Sequence, residues 1–108
     1  MDESEFNQRV DDILVQIEDA IEDSGTDIDY ETAGGILTLS FENDSKIIIN
    51  RQTAVRQIWV ATRQGGYHFV CNEETDLWQL EGGDEELFAA LSRFCTDQAG
   101  EPIELGST

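Results

Sequence analysis

Between residues 4 and 23 apolar side chains recur every three or four positions: Phe6, Val10, Ile13, Leu14, Ile17 and Ile21, with Ala20 alongside. That recurrence matches the turn of an α-helix and puts them all on one face. The spacing predicts a helix from Ser4 to Asp23, with Asp11, Asp12, Glu18, Asp19, Glu22 and Asp23 off the stripe and Gly25 placed to stop it. The period then changes to two. Ile28 and Tyr30 alternate with Asp27, Asp29 and Glu31; after the turn Ala33-Gly34-Gly35, Leu37, Leu39 and Phe41 face one way and Thr38 and Ser40 the other. Asn43-Asp44 marks a second turn. KIIINR, VRQIWVAT, GYHFVC after Gly65-Gly66, and a short LWQL continue the series as strands, with no proline before Pro102 to interrupt pairing. Helical spacing returns with Leu87, Phe88, Leu91, Phe94 and Cys95. The second helix is expected to open near Asp84, with Asp84, Glu85 and Glu86 at the end where acids complement the macrodipole, and to stop at Gly100 and Pro102. Ile103 and Leu105 are expected to fold back over the edge of the core.

Helix, meander, helix is the order of an α+β protein. The expected architecture is a two-layer sandwich, with two helices packed on one face of a five- to six-stranded antiparallel sheet and the other face turned to water. The 108 residues suffice for a single domain spanning 1–108 and one core. Alternation turns Ile58 and Val60 toward the helices, so Gln57, Trp59 and Ala61 point to the open face with Thr38, Ser40 and Asn50. A tryptophan on a polar sheet face is a candidate contact for a partner, since Trp is enriched among interface hot spots; the plainer alternative is a ring lying flat on its neighbours.

Charge sharpens this picture. The net charge is −18, and twelve of the first thirty-one residues are acidic against one base, Arg9. From Lys46 to Asn72 there is no acid at all. The balance excludes phosphate backbones and anionic lipid as first-choice partners and favours cations or a basic protein surface. Solubility alone would explain an acidic chain, but not where these acids stand. Glu18, Asp19, Glu22 and Asp23 occupy the C-terminal turns of the first helix, where the macrodipole is already negative. Glu18/Glu22 and Asp19/Asp23 are also like-charge i,i+4 pairs. Together these placements cost on the order of 1–3 kcal/mol, a large share of the stability of a small domain.

Conventional catalytic patterns are absent. His68 is the single histidine and has no second one to form a metal pair; it is read as a ligand or, more plainly, as an ordinary strand residue. Cys71 and Cys95 lack a CxxC spacing and are expected to be buried free thiols, consistent with a reducing cytosol. No phosphate loop, dinucleotide fingerprint or zinc spacing occurs, and no signal, transit or membrane-spanning segment is visible, so the expected location is cytoplasmic. What remains is carboxylate. Glu18, Asp19, Glu22 and Asp23, then Asp27, Asp29 and Glu31 on one side of the next strand, are candidates for a ridge along one edge of the domain. Such oxygen-only sets suit hard or borderline cations, Ca²⁺, Mn²⁺, Fe²⁺ and Fe³⁺ among them. With no EF-hand spacing, binding is expected to be weak and exposed.

The stretch INRQTAVRQIWVATRQGGYHF, preceded by GGILTLSF and followed by Trp78, resembles the frataxin family in its bacterial, CyaY-type branch. The acidic first helix and DIDYE fit as well, and the resemblance runs from about Ser4 to Gly100. It implies the same sandwich and a cytoplasmic protein of iron–sulfur cluster assembly. It implies Fe²⁺ and Fe³⁺ on the ridge at Glu18, Asp19, Glu22, Asp23, Asp27, Asp29 and Glu31. It implies docking on a cysteine desulfurase and its iron–sulfur scaffold protein, whose rate is modulated, through exposed sheet residues Asn50, Arg51, Gln52, Gln57 and Trp59. A monomer is expected, with iron-dependent self-assembly left open. Ala54 stands where many relatives have proline, and no mitochondrial extension precedes the first helix. Two other readings are weighed. A slow ferroxidase would need no more than carboxylates, but the Glu-x-x-His signature of ferritin-like oxidases is missing. An acidic mimic of nucleic acid sits badly with the acid-free middle.

Overall fold

The computed structural model of this chain describes residues 1–106. The first stripe becomes the buried face of helix α1 (Glu3–Ser24): Phe6, Val10, Leu14, Ile17, Ala20 and Ile21 are buried, while Ile13 reaches the core only in part. The helix opens one residue earlier than expected because Asp2 caps it, its side chain accepting from the Glu5 N–H at 2.8 Å. It closes on Gly25, whose φ of 68° is a left-handed conformation that suits glycine.

Six strands follow: β1 (Asp29–Ala33), β2 (Ile36–Ser40), β3 (Lys46–Gln52), β4 (Gln57–Thr62), β5 (Gly65–Asn72) and β6 (Leu77–Leu80). Each pairs antiparallel with its chain neighbour, so the sheet order is the chain order and β1 and β6 are its outer strands. The register fixes which residues share a face. Leu37, Leu39, Ile47, Ile49, Ile58, Val60 and Phe69 point into the core beneath both helices. Asn50 lies opposite Trp59, and Trp59 opposite His68, on the far face. The expected sandwich is therefore present with six strands.

The starts of β4 and α2 also differ from the sequence reading. The stretch VRQIWVAT is not one strand. Thr53–Val55 form a 3-10 turn, Arg56 takes a left-handed φ of 55°, and β4 starts at Gln57. Helix α2 (Leu87–Ala99) begins at Leu87 rather than near Asp84. Glu86 is its N-cap, accepting from the Phe88 N–H at 3.0 Å, and Glu85 is diverted to a salt bridge with Arg93 at 2.8 Å. That bridge holds the Glu85 carboxyl below its ordinary range and raises the Arg93 guanidinium. The tail folds back as expected. Ile103 and Leu105 are buried, tied to α2 by hydrogen bonds with Thr96 and Ser92.

Candidate functional site

The seven acids expected to form a ridge do gather at the end of α1 and the outer strand after it, but on two faces rather than one row. Strand β1 begins at Asp29, so Asp27 lies outside it. Asp27 instead borders a cavity of about 200 Å³ with Glu42 and Glu101, near the C-terminal end of α2. Within β1 the alternation sends Tyr30 and Thr32 toward α1 and Asp29 and Glu31 to the open face. Tyr30 is paired with Leu39 and Thr32 with Leu37, both core residues, whereas Asp29 and Glu31 sit opposite Ser40 and Thr38. Glu18, Asp19, Glu22 and Asp23 thus rise on the helix side of the edge, and Asp29 and Glu31 on the sheet side.

No base interrupts them. None of the seven takes part in a salt bridge among the described residues, and the last turn of α1 holds no Lys or Arg. Arg9 is held by Asp76 and Glu5, each within 2.9 Å, which raises its guanidinium further. Two ridge acids are engaged by hydroxyls instead: Tyr30 Oη donates to Glu22 Oε1 and Thr32 Oγ1 donates to Glu18 Oε2. The hydrogen bond to Glu22, together with partial burial and the charges of Glu22, Glu18 and Asp19, pushes the Tyr30 phenol up to about 12. Among the described residues no three His, Cys, Asp or Glu side chains converge on one point. The chemistry on offer is a concentrated negative field with free carboxylate oxygens, suited to an outer-sphere or sparsely coordinated cation, rather than a cage.

The open face carries four of the five expected partner residues. Asn50, Gln52, Gln57 and Trp59 share it, and Gln52 Nε2 donates to Asn50 Oδ1 at 3.2 Å. Arg51 does not belong with them. It points the other way, opposite Ile58, and its guanidinium donates to the Asn7 backbone and side chain at 3.3 and 3.2 Å and to Asp11. The period of two made this unavoidable: neighbours in one strand cannot share a face. Arg51 therefore fastens α1 to β3 and also lies against Gly35, where a Cβ would meet it at 3.4 Å. Trp59 lies flat on its neighbours. Its ring stacks on His68 at 4.3 Å with 9° between planes, and its Nε1–H donates to Gln57 Oε1 at 2.7 Å. His68 in turn faces Glu81, Nδ1 to Oε1 at 3.8 Å.

The thiols differ from each other. Cys95 is fully buried as expected, and burial pushes it up to about 12. Cys71 is only half-buried, because it lies toward the end of β5 with Arg9 Nη1 lying 3.5 Å from its sulfur; desolvation raises it and Arg9 opposes the rise. Tyr30, Thr32 and Glu81 were not singled out from sequence. Tyr30 and Thr32 do carry a signal, hydroxyls at alternate positions of a strand that follows an acidic helix, but only the register shows that they face that helix.

The frataxin-like domain model matches residues 1–101 of the chain. The chain belongs to the frataxin family. Two relatives, from Pseudomonas aeruginosa and Pseudomonas paraeruginosa, are 46% and 45% identical over 104 residues, 96% of each chain, and both are named iron–sulfur cluster assembly protein CyaY. The solved frataxin from Psychromonas ingrahamii superposes with a TM-score of 0.90 at 38% identity, covering 99% of this chain and all of that one. The two helices and six-stranded antiparallel sheet are the frataxin fold. Among the described residues, no helix is long and apolar enough to cross a membrane.

Proposed function

We propose that this chain serves iron–sulfur cluster assembly in the cytoplasm, as a weak carrier of Fe²⁺ and Fe³⁺ that docks on a cysteine desulfurase and its scaffold protein and modulates their rate. The names of its relatives support the assembly role. The observation that carries the metal part is the ridge: Glu18, Asp19, Glu22, Asp23, Asp29 and Glu31, with Asp27 beyond, kept without a paired base at the negative end of α1. Glu18 and Glu22 each have an oxygen not engaged by the β1 hydroxyls, and Asp19, Asp23, Asp29 and Glu31 are exposed. A hard cation entering this field keeps most of its water and binds weakly, which suits delivery and sensing better than storage. Other divalent and trivalent cations compete for the same oxygens. The same ridge attracts a basic docking surface, while the open sheet face presents Asn50, Gln52, Gln57 and Trp59 to the complex.

Titrating Fe²⁺ anaerobically while following backbone amides tests the metal assignment. Broadening is expected from Glu18 to Glu31, and broadening confined to the open sheet face around Trp59 refutes it. A reconstituted cluster-assembly assay at varied iron tests the modulation. A rate that does not respond to the protein at any iron level removes that part of the reading.

A further inference from the structure

The open face holds a closed ring of side chains drawn from three parts of the chain. Trp59 Nε1–H donates to Gln57 Oε1 at 2.7 Å; Gln57 Nε2–H donates to Glu81 Oε2; Glu81 Oε1 lies 3.8 Å from His68 Nδ1; and the His68 ring stacks on Trp59 at 4.3 Å, 9° from parallel. Trp59 and Gln57 lie on β4, His68 on β5, and Glu81 just past β6. The Glu81 N–H also donates to the His68 carbonyl at 2.8 Å, so the backbone already sets Glu81 beside the histidine. Glu81 is the only charged member when the imidazole is neutral, and it is the one group that touches both halves of the ring.

We infer that Glu81 and His68 are positioning residues for the docking surface: through Gln57 and through the stack they hold the Trp59 indole flat and in one orientation before any partner arrives. This rests on the docking face argued above and says how that face is prepared. A free indole on a sheet surface samples several rotamers, and a long amide such as Gln57 samples more. Fixing both in the unbound protein removes an ordering cost that binding would otherwise meet. The ring also dictates what kind of contact Trp59 makes. Its N–H is already given to Gln57, so what it presents to a partner is its apolar edge and uncovered ring surface. Gln57 likewise has one bond committed at each end of its amide. Asn50 and Gln52 are bonded to each other in the same way, so Trp59 acts as a preset apolar anchor among amides that each keep a further donor or acceptor for a partner.

The test compares Glu81→Ala, Glu81→Gln and His68→Ala with Trp59→Ala. Indole N–H cross-peaks in ¹H–¹⁵N spectra report the orientation directly, with Trp78, buried against Phe6, as the internal control for an intact core. Glu81→Ala and His68→Ala are expected to move the Trp59 indole signal and speed its hydrogen exchange while leaving Trp78 in place. Affinity for the desulfurase should fall roughly three- to tenfold. Glu81→Gln, which keeps an acceptor for Gln57, should retain most of the affinity. An unmoved Trp59 signal in Glu81→Ala overturns the inference. So does a moved signal with unchanged affinity when Trp59→Ala does weaken docking. If Trp59→Ala itself leaves docking untouched, the sheet face is not the docking surface, and the inference fails with it.

Discussion

Single side chains decide what each surface of this protein can do. Tyr30 is the clearest case. Its phenol is raised from about 10 to about 12, first by the hydrogen bond to Glu22, then by partial burial and the surrounding negative charge. For a group raised on folding, the stabilising contribution is complete below the unfolded pKa near 10 and is lost as pH rises through about 12. An alkaline absorbance titration is therefore expected to show a tyrosine step near 12, and Tyr30→Phe should abolish that late step and lower stability only in the pH range where the phenol is intact. Arg51 supplies a second test at this scale. Because it ties α1 to β3 from the core side, Arg51→Ala should lower the unfolding free energy by about 1–3 kcal/mol. Asn50→Ala, one residue away and facing water, should leave it within about 0.5 kcal/mol. Chemical denaturation of the two variants separates a fastening residue from a contact residue, and equal losses would place Arg51 on the wrong face.

At the scale of elements, α1 carries a conflict: a well-made N-cap at Asp2, a glycine stop at Gly25, and four acids where its dipole is negative. The β1 hydroxyls relieve part of this at Glu18 and Glu22, so the unrelieved strain falls on Asp19 and Asp23. Asp19→Asn with Asp23→Asn is expected to stabilise the protein by roughly 0.5–1.5 kcal/mol and to weaken cation uptake. Added salt should stabilise the parent more than the variant. A lower melting temperature in the double variant would contradict the account. The helices and the meander were legible from the chain because apolar spacing is set by the core: Phe6 to Ile21 and Leu37 to Phe69 could only face inward. What the pattern left hidden was local competition. The start of α2 moved to Leu87 because Glu85 preferred Arg93 to a place in the first turn, and β4 shortened because Arg56 turned left-handed. The ridge was legible as composition, but its division into two faces was not. Which parity of β1 meets α1 is decided by pairing with β2, a fact of register that no residue in β1 carries alone.

For the whole molecule, charge and sheet topology act together. Cations that bind only the folded state raise its stability by mass action, so Ca²⁺ or Mn²⁺ in excess should raise the melting temperature in a concentration-dependent way that neutral ridge variants lose. The position of β1 at the end of the sheet adds a second consequence. Among the described residues its outward backbone N–H and C=O groups have no strand partner, which makes it a template for another copy of the same chain. Asp29 and Glu31 stand on that strand and repel their counterparts in an approaching molecule. If the ridge takes up cations as proposed, they would quench this repulsion and so also unlock the margin of the sheet for lateral zippering. Light scattering is expected to rise with Fe²⁺ in air and to stay flat when Thr32, inside that margin, is replaced by proline.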